Sequence, residues 1–149
     1  MRMNFPLLWL ALAMLVSTPA AAAPDAPLIE VTRVYADDEG KTRFGEGALA
    51  LAVTDYAPPA PSIAVSPRLP VTDLAIARLP VGWYGDWHPA PRRQYALMLS
   101  GAFEIETGDG EKRTFAAGSI FLLEDVAGQG HRTRVVGDEE VTVALVPTP

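Results

Sequence analysis

The 149-residue sequence contains no cysteine. A chain without thiols has no disulfide framework, no thiolate ligand for a metal ion and no cysteine nucleophile. Its folded state must therefore be stabilised by burial of a hydrophobic core, helped at most by a ligand or a second subunit.

Basic residues are also scarce. The chain has 12 lysines and arginines against 18 aspartates and glutamates, for a formal net charge of −6. Nucleic-acid-binding domains and proteins that bind anionic membrane surfaces usually present a basic patch. The acidic balance therefore predicts that neither nucleic acid nor an anionic membrane is a partner.

The first 22 residues have the layout of a cleavable signal peptide. Arg2 precedes an apolar run over residues 5–16, and small residues follow up to Ala22. A helix needs roughly 20 apolar residues to cross a bilayer, so this run is too short for a stable membrane anchor. We expect cleavage between Ala22 and Ala23, export to the periplasm or the medium, and a mature domain over residues 23–149.

Beyond residue 22 the sequence shows short apolar runs between turn signals, and no convincing helical period. Phe103 and Ile105 alternate with Glu104 and Glu106, as expected for a strand with one buried face. The pattern predicts a single all-β domain, and periodicity alone leaves an immunoglobulin-like sandwich, a lipocalin-like barrel and a jelly roll open. The strand-like runs cover residues 28–35, 71–79, 95–99, 103–107, 120–123 and 141–146.

Two turn signals organise these strands. Asp109-Gly110 is typical of a tight hairpin, and it predicts pairing of residues 102–107 with residues 111–115. Five prolines between residues 57 and 70 exclude a central strand there and predict a surface loop.

Two segments resemble the paired sequence motifs of the cupin superfamily. Gly82, His88, Gln94 and Gly101 match the spacing of the first motif, which is Gly, five residues, His, one residue, His, three or four residues, Glu, six residues, Gly. The segment 118–131, which ends in His131, resembles the second motif, although it is about two residues longer. The resemblance covers residues 71–146 and implies a jelly-roll barrel, also called a double-stranded β-helix.

The resemblance also implies a place for a metal ion inside the barrel. Metal-binding cupins hold one divalent cation with two histidines and a glutamate of the first motif and the histidine of the second. Here His88 and His131 keep their places, Ala90 stands where the second histidine is expected, and Gln94 replaces the carboxylate. The implied site is His88, Gln94 and His131, with zinc, manganese, iron or nickel as the candidate ion.

A carboxylate from elsewhere in the chain would strengthen that set. Asp86, Glu124 and Asp125 lie close to the motif histidines in the sequence, and any of them would contribute if a loop folds inward. Both histidines also have a plain structural interpretation, as hydrogen-bonded side chains without a ligand.

Aromatic and basic residues are concentrated around His88. Such side chains favour a small organic ligand, and arginine in particular pairs with carboxylates. Farther along the chain, Arg132 and Arg134 are expected to face solvent or Glu139 and Glu140. The predicted ligand-binding residues are Trp83, Tyr84, Trp87, His88, Arg92, Gln94 and His131.

Three functions are compatible with these features. The first is an exported cupin-type protein that binds a small organic molecule, such as a carboxylate, without catalysis. The second is a metal-dependent dioxygenase, isomerase or decarboxylase acting on a small carboxylate. The third is a partner-binding module that forms a homodimer through its sheet edges. The sequence leaves open whether the protein is an enzyme.

Overall fold

The computed structural model describes residues 27–149, and these residues form strands and connecting turns without any helix. The predicted signal peptide, residues 1–22, lies outside the described residues. Within residues 27–149 there is accordingly no helix of the length and hydropathy that crossing a membrane requires.

The described chain contains twelve strands that lie in three sheets. In chain order they are β1 (Leu28–Ala36), β2 (Thr42–Ala50), β3 (Ala52–Thr54), β4 (Ile63–Val65), β5 (Ala75–Leu79), β6 (Tyr84–His88), β7 (Gln94–Ser100), β8 (Ala102–Glu106), β9 (Lys112–Ala116), β10 (Ile120–Leu123), β11 (His131–Val136) and β12 (Val141–Pro147).

The strand order is that of a jelly roll. One sheet has the order β2-β1-β10-β7-β12-β5, and the facing sheet has the order β6-β11-β8-β9. Strands β5 to β12 pair in a nested antiparallel pattern, in which β5 pairs with β12, β6 with β11, β7 with β10 and β8 with β9. This pattern confirms the predicted all-β jelly roll and excludes the two alternative architectures. Strand β1 pairs parallel with β10, and β2 extends the sheet beyond it.

Several strand predictions are confirmed and others need correction. The hairpin around Asp109-Gly110 joins β8 and β9 as predicted. Only the second half of the run 71–79 forms a strand, whereas β2, β3, β4, β6 and β11 were not predicted. Strand β2 contains two glycines and β11 contains Arg132 and Arg134 at alternate positions, so neither has the apolar run that identifies a strand.

The proline-rich segment keeps out of the barrel, as expected. It contains one short strand, β4, which pairs only with β3 in a two-stranded sheet of its own. Proline cannot donate a backbone hydrogen bond, so a separate short ribbon accommodates it better than a central strand.

The core lies between the two large sheets. Four phenylalanines pack against one another there, with ring centroids 4.6 Å apart for Phe115 and Phe121 and 5.6 Å apart for Phe103 and Phe121. Phe44 joins them from β2, at 6.2 Å from Phe115. This aromatic cluster fills one part of the interior, while smaller side chains line the remainder.

Charged side chains cover the outer face of the smaller sheet. Arg132 lies opposite Glu106 in the β8–β11 ladder, and Arg134 lies opposite Glu104. The Nη2 atom of Arg132 is 2.7 Å from Oε2 of Glu106, and Nε of Arg134 is 3.0 Å from Oε1 of Glu104. The expectation that these arginines face outward is confirmed, but their partners are Glu106 and Glu104 and not Glu139 and Glu140, because the register places the β8 carboxylates nearer.

Truncation of a core valine should reveal how much the packing between the sheets contributes. Val141 is fully buried, so Val141→Ala should lower the free energy of unfolding by about 2 to 3 kcal/mol, through lost burial and the space left behind. Val81 is 52% exposed and provides the matched control, for which Val81→Ala should change little. Equal effects of the two variants in urea unfolding would contradict the described core.

The ion pairs on the smaller sheet should make stability depend on pH. The side-chain hydrogen bond from Arg132, helped by Lys112, holds the pKa of Glu106 below its ordinary value of 4.5. A carboxyl with a lowered pKa stabilises the fold above 4.5, and this contribution is lost as the pH falls through the lowered folded-state value. Glu106→Gln should therefore lower Tm at neutral pH, and the difference from the parent should close in acid.

A control for this titration is available on the same molecule. Glu139 is exposed and has no ion-pair partner among residues 27–149. Glu139→Gln should leave Tm unchanged at both ends of the pH range. A Glu106→Gln deficit that persists unchanged in acid would show that the carboxylate charge is not what stabilises this face.

Candidate functional site

A cavity of about 210 Å³ lies between the two large sheets, beside the aromatic cluster. Most of its wall is apolar, and the polar side chains that reach it are His88, Gln94, His131 and Thr133. The apolar wall comes from alternate positions on neighbouring strands, such as Ala77 and Leu79 on β5. The full apolar lining is Ala77, Leu79, Trp83, Ala90, Pro91, Ala96, Phe103, Ile105, Phe121, Leu123, Val143 and Leu145.

A β-bulge in β6 directs two of the predicted site residues into this cavity. Trp83 and His88 are five positions apart, so a regular strand would place them on opposite faces. His88 pairs with His131 and Gly85 pairs with Thr133, so two residues of β6 lie opposite the single residue Arg132. The extra residue changes the alternation, and both side chains consequently line the cavity.

Gly85 makes this arrangement sterically possible. A Cβ atom at this position would lie 2.5 Å from Cη2 of Trp83 and 3.3 Å from Cε1 of His88. Any larger residue would have to displace the indole ring. The absence of a side chain at Gly85 therefore allows Trp83 and His88 to pack side by side.

His131 is held by a buried carboxylate. Its Nδ1 atom is 2.6 Å from Oδ2 of Asp125, whose side chain is completely buried. Since an ionised carboxylate can only accept, Nδ1 of His131 carries the proton of this hydrogen bond. The remaining nitrogen, Nε2, has no hydrogen-bond partner within residues 27–149 and is not fully buried. It is therefore the nitrogen available to the cavity.

His88 is oriented in a similar way but by a neutral group. Its Nδ1 atom is 2.5 Å from the backbone carbonyl oxygen of Asp86. A carbonyl only accepts, so the proton of His88 also lies on Nδ1 and leaves Nε2 as an acceptor. The two imidazole rings lie across the β6–β11 ladder with centroids 4.8 Å apart, inclined at 52°. The cavity therefore receives two imidazole acceptors from adjacent strands.

The loop before β11 brings His131 into this position. Gly130 has a φ of +73°, and a Cβ atom there would lie 2.0 Å from the carbonyl oxygen of His88. Only glycine permits both the backbone conformation and this close approach. On the other side, the backbone N–H of Ala90 donates to the carbonyl oxygen of Asp125 at 3.0 Å, which fixes the segment that carries the carboxylate.

Gln94 is the fourth predicted site residue that reaches the cavity. It begins β7, pairs with Leu123 of β10 and is only 5% exposed. No side chain or backbone group of the described chain hydrogen-bonds to its amide. Its donor and acceptor are therefore available to a molecule in the cavity.

Three other predicted ligand-binding residues lie outside the cavity. Tyr84 is 53% exposed on the outer face, and Trp87 lies beneath the guanidinium of Arg132, 5.1 Å from the ring centroid. Arg92 is exposed and contacts Asp73, with Nη1 3.1 Å from Oδ2. Trp87 faces outward because it is next to His88 in the strand, and the bulge turns Tyr84 outward as well. The wall of aromatic and guanidinium groups expected around His88 is therefore not formed.

The three candidate carboxylates, Asp86, Glu124 and Asp125, lie in different positions relative to the cavity. Glu124 binds two arginines on the outside, with its oxygens 2.5 Å from Nε of Arg33 and 3.0 Å from Nε of Arg93. Asp86 contacts His88 through its backbone carbonyl and not through its carboxylate. Asp125 alone folds inward, but it lies behind His131 and does not line the cavity. The sequence signal for it is the acidic pair Glu124-Asp125 that follows the buried run of β10.

The donor set does not fit a resident divalent cation. The polar groups that reach the cavity are two imidazoles, the amide of Gln94 and the hydroxyl of Thr133, none of which is an anion, and Ala90 contributes only a methyl group. Within residues 27–149, no group of three or more His, Asp or Glu side chains lies close enough together to hold a metal ion. The Nδ1 hydrogen bonds would orient the histidines equally well for a metal or for a proton. Metal binding remains a prediction from the sequence, and the small number of donors and their neutrality weigh against it.

Comparison with known proteins identifies no family or curated relative. No protein-family model matches the chain, and no curated protein matches it. Among solved structures, a Schizosaccharomyces pombe Cnp3 cupin domain is similar at 13% identity and a TM-score of 0.40, over 85% of this chain and 86% of the other. The conserved protein SPY1581 of Streptococcus pyogenes matches at 15% identity and a TM-score of 0.39, over 93% and 97% of the two chains. Protein NMB1881 of Neisseria meningitidis matches at 14% identity and a TM-score of 0.38, over 51% and 72%.

Metal analysis tests the conclusion about the donor set. The protein purified without an affinity tag should contain far less than one metal ion per chain. Dialysis against zinc, manganese, iron or nickel should not raise this metal content to one ion per chain. Because the polar groups at the cavity are neutral, desolvation of a divalent ion is poorly compensated. One metal ion per chain that is lost in both His88→Ala and His131→Ala would contradict this conclusion.

Proposed function

We propose that this protein is a cupin-type binding protein that holds a small, neutral organic molecule in its barrel cavity. The observation that supports this proposal is an apolar cavity into which His88, Gln94 and His131 direct polar groups that have no protein partner. Mostly apolar walls with a few oriented polar groups are the usual composition of a small-molecule site. Export, inferred from the signal-peptide layout of residues 1–22, belongs to the same proposal and places the ligand outside the cytoplasm.

The volume of the cavity limits the size of the ligand. An engineered apolar cavity of roughly 150 Å³ binds benzene, whereas sites for drug-sized molecules span roughly 300–1,000 Å³. At about 210 Å³, this cavity suits a single ring or two small fused rings with one or two small substituents, or an aliphatic molecule of similar size.

The polar groups determine the chemistry of the ligand. Both histidines use Nδ1 as a donor to the protein, so their Nε2 atoms accept hydrogen bonds from the ligand. Within residues 27–149, no lysine or arginine lines the cavity. Arg92 and Arg93, on which the expectation of a carboxylate ligand rested, pair with Asp73 and Glu124 outside it. A neutral molecule with a hydroxyl or N–H group is therefore favoured over a carboxylate.

Binding of matched single-ring probes tests the proposal. Phenol should bind more tightly than toluene by about 2- to 12-fold, because one added hydrogen bond contributes roughly 0.5–1.5 kcal/mol. Benzoate should bind most weakly of the three, since no cationic side chain lines the cavity to pair with it. Titration calorimetry gives the three affinities directly.

Two variants locate the binding within the barrel. Ala77 faces the cavity, so Ala77→Leu should fill part of it and weaken phenol binding. Arg78 is the next residue of β5 and is exposed on the outer face, so Arg78→Leu should leave binding unchanged. Tightest binding of benzoate, or phenol binding that survives Ala77→Leu, would refute the proposed cavity and its polarity.

A further inference from the structure

We infer that Asp125 and His131 form a general-base dyad, which gives the cavity a metal-independent capacity to remove a proton from a carbon acid bound there. The inference rests on the proposed function, because the carbon acid must first enter the cavity. It adds an activity that small-molecule binding does not require.

The first support is the orientation of the base. The hydrogen bond from Nδ1 of His131 to Oδ2 of Asp125, at 2.6 Å, holds the imidazole in the tautomer whose Nε2 has a free lone pair. That nitrogen opens into an apolar cavity and has no partner within the described residues. A base of this kind needs no reorientation before it accepts a proton.

The second support is the isolation of the carboxylate. Asp125 is completely buried, and its only side-chain hydrogen bond in the described chain is the one from His131. The other oxygen, Oδ1, has no hydrogen-bond partner in residues 27–149. A buried anion without a cationic neighbour is costly, and protonation of His131 creates the missing cation next to it. The carboxylate therefore stabilises the imidazolium that forms when the base has acted.

His88 provides an internal comparison. It lines the same cavity and has the same Nδ1 tautomer, but its partner is the backbone carbonyl of Asp86. A neutral carbonyl stabilises an imidazolium less than a carboxylate does. The structure therefore assigns proton removal to His131, and His88 contacts the bound molecule.

The probe for this activity is nitrobenzisoxazole, a neutral carbon acid of two small fused rings, which matches the size of ligand proposed for the cavity. Nε2 of His131 takes the proton from the ring carbon, the C–H electron pair becomes the second π bond of a nitrile, and the N–O bond breaks. The product is a cyanonitrophenolate, whose colour reports the rate, and His131 then returns its proton to water. No oxidant, reductant or metal ion takes part in the step.

The parent protein should accelerate this reaction above the rate given by free imidazole at the same concentration, and EDTA should not change the rate. His131→Ala should lower kcat by about 100-fold or more, the usual contribution of a general base. His88→Ala should raise KM and lower kcat far less than His131→Ala does. Arg78→Leu, on the outer face, should match the parent.

Asp125 acts through His131 and is a positioning residue, so its test needs a readout beyond loss of rate. Asp125→Asn should lower kcat by roughly tenfold or more and leave KM unchanged. Nitrogen NMR should show His131 with its proton on Nδ1 in the parent and a changed tautomer population in the folded variant. If His131→Ala does not fold, His131→Gln keeps a side chain of similar length and gives the same comparison.

The outcomes separate this inference from the binding function. A probe that binds without accelerated reaction, or acceleration that survives His131→Ala or disappears with EDTA, overturns the dyad and leaves the binding function intact. An unchanged kcat together with an unchanged tautomer in Asp125→Asn overturns the role of Asp125. Failure of both nitrobenzisoxazole and phenol to bind overturns the binding function and the dyad together.

Discussion

The pairing of β6 with β11 is the interaction on which the site depends. This ladder places His88 directly opposite His131, where Gly130 lets the chain pass against the carbonyl of His88, and the bulge that follows in the ladder brings Trp83 to the same face. With a regular β6, either Trp83 or His88 would face solvent. One local irregularity in a strand therefore determines which side chains form the cavity.

One part of the barrel interior is tightly packed and the other part is an unfilled cavity. The phenylalanine cluster between the sheets supplies tight burial, while the small side chains of Ala77, Ala90 and Ala96 leave about 210 Å³ unfilled beside it. Unfilled space and a buried carboxylate both cost stability. Such departures from a well-packed, fully paired interior are typical of functional sites, where stability is given up for binding or chemistry.

Charge is distributed so that the cavity stays neutral. The arginines of β11 pair with glutamates of β8 on the outer face, and Arg33 and Arg93 share Glu124 on another surface. These pairs form because cross-strand register brings opposite charges together on the exposed side of each sheet. Among the described residues no guanidinium lines the cavity, and the Asp125 carboxylate lies behind His131.

The sequence by itself determined the fold class, the Asp109-Gly110 hairpin and four of the cavity residues, because strand alternation, turn chemistry and motif spacing are local properties of the chain. It did not reveal β2, β3, β4, β6 and β11, and in β2 and β11 the glycines and arginines hide the apolar pattern. Only the tertiary structure decided that Tyr84, Trp87 and Arg92 lie outside the cavity, since a bulge has no signature in periodicity. It also decided that Asp125 meets His131, because a loop's path depends on contacts between distant parts of the chain.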